Sequence, residues 1–199
     1  MNYKKYDFYD PTVVGKRIKT IRESFNCTME QFGHLINSTT KAAVFNWEKG
    51  KRLPNNGSLE LIAILGKTTV EDIVYGDFEK YIVSLFTTES FLYSKVKNKL
   101  KHSQQYELFS FYESVSEEKK SLIIKNVIED TERLNFDYFD IANIVDLFLM
   151  HTENSLKINL FVRTLPPKVE NLLIDIEKNE LTIDELKLLI KYLSNKIQR

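Results

Sequence analysis

The sequence predicts an all-α protein in two parts: five short N-terminal helices, then a wholly helical remainder. Three observations carry that prediction. All six glycines (15, 33, 50, 57, 66 and 76) lie in the first 76 of the 199 residues, so tight corners are confined there. The 123 residues after Gly76 hold only Pro166 and Pro167 as breakers. Their apolar residues recur three or four apart, as in Phe78, Ile82, Leu85 and in Ile141, Val145, Phe148. Helix-start signals punctuate both parts. The expected division is an N-terminal arm at 1–10, a compact module at 11–76 and a helical domain at 77–199.

Taken in order, Asp10 caps a first helix with Pro11 at its first position, and Val14, Ile18, Ile21 and Phe25 share one face. Thr28 and Gln31 form a capping box that opens a second helix through Ile36, which "NST" breaks. A third helix runs from about Thr40 to Lys49 and stops at Gly50. A fourth follows "LPNNG", and a fifth begins at "TVED" with Thr69 as its cap. Further on, Thr88, Ser116 and Thr182 precede acidic turns, and Leu122, Val127 and Leu134 make a less regular apolar face. "TIDE" is a capping box from Thr182 to Glu185, and Pro166 closes one helix where "PPKVENLLIDIEK" begins another. In the final helix Leu186, Ile190, Leu193 and Ile197 keep a 4, 3, 4 spacing, with lysines at 187, 191 and 196 outside it. That face suits either pairing with a second copy or docking on the helical domain. The arm "NYKKYDFY" alternates aromatics with lysines, which fits a minor-groove contact, packing on the module, or disorder.

Lys plus Arg equals Asp plus Glu at 28 each, so only the distribution of charge is informative. Residues 12–67 carry nine basic and four acidic groups, a net charge of +5, and the rest carries −5. One end alone is suited to a polyanion. Cys27 is the only cysteine, which excludes an internal disulfide and a zinc knuckle and fits a reducing cytoplasm. The N-terminal lysines precede no apolar run, and no stretch approaches the roughly 18 apolar residues of a membrane span. His34, His102 and His151 are scattered, and there is no GxGxxG, Walker-type loop or HExxH. No catalytic, metal or cofactor site is expected.

The chemistry concentrates in "TTKAAVFNWEKGKRLPNN", residues 39–56. Two helices meeting across a tight corner need a small residue on the first, here Gly33, and apolar residues on the inner face of the second, here Val44 and Trp47. The opposite face then holds Lys41, Ala42, Phe45 and Asn46. Lys41 suits guanine O6/N7, Asn46 suits adenine bidentately, Ala42 and Phe45 suit thymine methyls, and Thr40 suits either partner. Lys49, Lys51 and Arg52 flank this face where phosphates would run.

Gly33, Val44, Trp47 and "WEKGKRLPNN" carry a resemblance: residues 12–76 are similar to the phage-repressor/Cro-like helix-turn-helix family, also called the XRE family. The resemblance implies a Cro/repressor-like five-helix domain and a repressor of the kind found in temperate phages and phage-related mobile islands. It implies base contacts from Thr40, Lys41, Ala42, Phe45 and Asn46, and phosphate contacts from Arg17, Thr28, Lys49, Lys51, Arg52 and Asn55. It also implies a structural ion pair between Arg22 and Glu48. Met29 stands where the family commonly has a phosphate-holding glutamine, leaving that role to backbone amides, and the corner "INSTT" is one residue longer than the commonest form. Such repressors bind double-stranded operator DNA as homodimers with half-sites ~34 Å apart, which makes Leu186, Ile190, Leu193 and Ile197 the candidate dimer face. The chain has neither the Ala-Gly nor the Cys-Gly dipeptide at which repressors of this kind cleave themselves. Relief by an antirepressor protein or peptide is the expectation. An antitoxin that neutralises a partner and regulates its own gene is the alternative.

Overall fold

The computed structural model describes residues 8–162 together with Lys187 and Lys191, and among these residues every regular element is a helix. By packing, the chain divides into residues 1–151 and 152–199. Within the second unit the described stretch is helical, with a Glu153–Lys157 ion pair one turn apart at 2.7 Å.

The first five helices are α1 (Pro11–Ser24), α2 (Met29–Leu35), α3 (Lys41–Glu48), α4 (Asn56–Gly66) and α5 (Val70–Val74). Local chemistry fixes their ends. Asp10 Oδ1 accepts from the Thr12 and Val13 amides at 2.8 and 3.2 Å, satisfying N–H groups that a helix start leaves unpaired. Thr28 with Gln31, and Thr69 with Asp72, form reciprocal capping boxes. Gly50, at φ +65°, ends α3 in a Schellman motif, with the Lys51 amide donating to the Asn46 carbonyl at 2.9 Å and the Gly50 amide to Trp47 at 3.0 Å. Phe25 departs from the sequence expectation. α1 stops at Ser24, so Phe25 falls at the C-cap and is exposed rather than part of the inner face.

The remaining elements are α6 (Phe78–Phe86), α7 (Phe91–Lys99), a 3-10 turn (Gln104–Tyr106), α8 (Glu107–Ser114), α9 (Glu117–Arg133) and α10 (Ile141–Val162). Thr88 does not start a helix. The chain turns between Thr87 and Ser90, and Ser90 caps α7 by accepting from the Leu92 and Tyr93 amides while its hydroxyl donates to the Ser84 carbonyl. On α9 the packed row is Ile123, Val127 and Thr131, so Leu122, one position off, and Leu134, past the helix end, are both exposed. Thr131 is tolerated there because its hydroxyl donates to the Val127 carbonyl at 2.6 Å. The core of this region is aromatic: Phe86 stacks on Phe148 at 4.2 Å, Tyr112 meets Phe148 edge-on at 4.8 Å, and the Tyr112 hydroxyl donates to the Phe86 carbonyl at 2.7 Å.

The expected boundary after residue 76 falls inside the first packed unit. Tyr138, between α9 and α10, donates to the Gly76 carbonyl at 2.6 Å and stacks on Tyr75 at 4.9 Å. Phe8 is also buried, with the Lys99 ammonium 4.6 Å from its ring centre, so the last part of the arm packs on α7. Residues 1–7 lie outside the described residues. So do Pro166, Pro167, Thr182 and the candidate dimer residues Leu186, Ile190, Leu193 and Ile197.

Candidate nucleic-acid interface

Two close approaches set α3 in place. A Cβ on Gly15 would lie 2.5 and 2.6 Å from the Glu48 and Trp47 carbonyl oxygens, so only glycine lets α1 come this near the end of α3. A Cβ on Gly33 would lie 2.5 Å from the Thr39 carbonyl oxygen, which accounts for the small residue at the corner. Asn37 and Ser38, at φ +50° and +52°, take consecutive left-handed conformations to turn the chain into α3.

An ion pair locks the same joint. Arg22 Nε donates to Glu48 Oε1 at 2.5 Å and Nη2 to Oε2 at 3.1 Å, while Nη1 donates to the Cys27 carbonyl at 2.7 Å. Both residues are buried. The bond to Glu48 raises the Arg22 pKa above its ordinary value, outweighing the opposing effect of burial. The fork satisfies both carboxylate oxygens, which is what makes a buried pair tolerable.

Val44 and Trp47 are buried beneath α3, and Lys41, Ala42 and Phe45 are exposed on its outer side with Asn46 partly so. An open groove of about 480 Å³ runs along this face, lined by Thr40, Ala42, Asn46, Arg52 and Asn55 over a floor that includes Trp47 and Leu53. Thr40 caps α3 by accepting from the Ala43 amide at 3.2 Å, which leaves its O–H free to donate. Asn55 caps α4 through Oδ1, bonded to the Ser58 amide at 2.9 Å, which leaves its amide N–H groups for another partner. Phe45 stands beside the groove, its ring centre 6.0 Å from the Lys49 ammonium and 5.5 Å from that of Lys51. Among the described residues none of Lys41, Lys49, Lys51 or Arg52 forms an ion pair, and the nearest acid in sequence, Glu48, is already neutralised. The face therefore offers donors and uncompensated positive charge around small and aromatic apolar groups, the combination that a duplex groove accepts.

Two residues expected at phosphates stand apart from this groove. Thr28 caps α2, its Oγ1 accepting from the Gln31 amide at 3.2 Å, with its hydroxyl proton still able to donate at that helix end. Arg17 is a correction. Its guanidinium turns into the molecule, where Nη1 donates to the Ile73 and Val74 carbonyls at 3.1 and 3.2 Å and Nη2 to Tyr75 at 3.1 Å. It closes the C-terminal end of α5, whose carbonyls have no helical partners. Sequence reasoning passed over Gly15, Ala43 and Leu53. Gly15 carried a usable signal, because glycine inside an otherwise well-capped helix costs up to about 1 kcal/mol relative to alanine and implies a close neighbour.

Residues 18–73 match the model of the helix-turn-helix family HTH_3. The match runs from the middle of α1 into α5 and takes in the corner, α3 and the groove, so the chain carries a DNA-binding helix-turn-helix domain of the XRE/Cro-like kind. No curated protein and no solved structure matches the chain. No helix among the described residues is long and apolar enough to cross a membrane.

Proposed function

We propose that the chain is a sequence-specific transcriptional repressor that reads an operator in double-stranded DNA with α3. The observation that carries this reading is the outer face of α3: uncompensated donors beside an open groove, on a helix held by a buried fork from α1. Lys41 and Asn46 take the role of reading guanine and adenine, Ala42 and Phe45 meet thymine methyls, and Thr40 donates to a base edge. Lys49, Lys51, Arg52 and Asn55 hold phosphates, joined by Thr28 and the amides that open α2. The nearness of the Lys49 and Lys51 ammoniums to the Phe45 ring, at 6.0 and 5.5 Å, supports neighbouring base and phosphate roles for these residues. The repressor acts in the cytoplasm as a homodimer on half-sites about 34 Å apart, and the region beyond α5 serves dimerisation and release by an antirepressor protein or peptide.

A mobility shift on DNA from the chain's own upstream region, against a random duplex, tests this. One good bidentate base contact is worth about 1–3 kcal/mol, so Lys41→Ala with Asn46→Ala weakens operator binding at least about tenfold while leaving random binding nearly unchanged. Lys49→Ala with Lys51→Ala weakens both and lowers the salt slope by about 0.9 for each phosphate that is no longer neutralised. Unchanged operator affinity in the first variant overturns the reading.

A further inference from the structure

Outside the DNA face, a pocket of about 140 Å³ opens between α1 and α5 on one side and α6 and the start of α7 on the other. Its size is that of a cavity known to admit a benzene-sized molecule, ~150 Å³. Two cations line it, Arg17 and Lys80, with one acid, Asp10. Among the described residues neither cation has a carboxylate within ion-pair distance. Asp10 spends one oxygen on the α1 amides. Serine hydroxyls add polar walls at Ser84 and Ser90.

The state of Arg17 is the unusual feature. It is half-buried and bonded only to neutral carbonyls, and that burial holds its pKa below the ordinary value. Arg22 meets the same cost with Glu48. Of the five N–H groups of a guanidinium, at least two on Arg17, Nε–H among them, have no acceptor among the described residues. Nε with Nη2 is the edge by which Arg22 grips its carboxylate. A charge held in this way gains most from an oxyanion, because charge-assisted bonds strengthen as water is excluded.

We propose that this pocket binds a small oxyanion, the carboxylate or phosphate group of a metabolite, between the Arg17 guanidinium and the Lys80 ammonium. With Asp10 present the pocket carries a net charge of +1, which favours a singly charged group, and its volume excludes a folded peptide or a nucleic acid strand.

The test is a titration of the full-length chain with inorganic phosphate and, separately, acetate, followed by amide and Arg17 Nε chemical shifts. Saturable shifts at Arg17 Nε and across residues 80–84 are expected. Lys80→Ala, which removes an exposed side chain with no bonds of its own among the described residues, weakens them about tenfold or more, the effect of losing one charge-assisted bond. Lys80→Arg restores binding, and Lys49→Ala with Lys51→Ala leaves it unchanged. Tighter binding of phosphate assigns a phosphoryl ligand, and tighter binding of acetate assigns a carboxylate. Shifts that rise linearly with either anion, that are confined to α3, or that ignore Lys80→Ala overturn the proposal. The outcome is independent of operator binding, so the two readings fail separately.

Discussion

Arg17 and Arg22 lie five residues apart on α1, both withdrawn from water, and they use the same fork on different partners. Arg22 meets a carboxylate that belongs to α3, so the two charges cancel and the helix that carries the exposed donor face is fixed in position. Arg17 meets the carbonyls of Ile73, Val74 and Tyr75, which tether α5 to α1 but bring no charge of their own, so only Asp10 and Asp72, beyond ion-pair distance, offset it. One joint is electrically closed by its own carboxylate, and in the other, the open joint, the cation is bonded to neutral groups alone.

The contrast is sharpest under truncation. Arg22→Ala leaves Glu48 buried without a partner and costs about 3–5 kcal/mol in denaturant unfolding. Replacing both residues by apolar ones, Arg22→Met with Glu48→Leu, recovers most of that loss, the remainder reflecting the orphaned Cys27 carbonyl. If the double variant is no better than the single, the loss belongs to packing and not to the charge. Arg17→Ala is smaller, about 1–3 kcal/mol, because it exposes neutral carbonyls that water can partly reach. Its mark is local: faster amide exchange in α5, with α3 protection unchanged. Equal losses from the two single variants, or exchange that spreads to α3, would collapse the distinction between the joints.

The two joints also differ in how far the sequence disclosed them. Helix starts at Asp10, Thr28, Thr69 and Ser116 were legible because a cap is settled within three residues of itself. The outward side of α3 was legible because Val44 and Trp47, three apart, had to face inward. Arg22 with Glu48 pairs one side-chain type with its complement, and the family resemblance supplied the register. Arg17 has backbone carbonyls for partners, and any sequence at 73–75 supplies those, so nothing in the chain marks it as anything but a surface cation. The choice of Ser90 over Thr88, and of Ile123 over Leu122, was hidden for a related reason. Adjacent residues of like chemistry compete, and packing against distant helices decides between them.

Tyr138→Phe probes the open joint most gently, and pH separates its parts. The substitution keeps the ring and its stack on Tyr75 and deletes only the hydroxyl that donates to Gly76. The expected loss is about 0.5–1.5 kcal/mol, one hydrogen bond. Burial, aided by the charges of Asp72 and Asp77, raises the Tyr138 pKa above its ordinary 10.0. A phenol whose folded pKa is raised contributes stability that is whole below the unfolded value and fades as pH climbs through the folded one. The gap between the native chain and Tyr138→Phe is therefore constant from neutrality to about pH 10 and narrows above it, because the unfolded phenol ionises first and draws the native chain toward unfolding. A gap that stays constant through alkaline pH would mean that the hydroxyl bond contributes nothing selective to the neutral phenol, and that Tyr138 holds this joint by stacking alone.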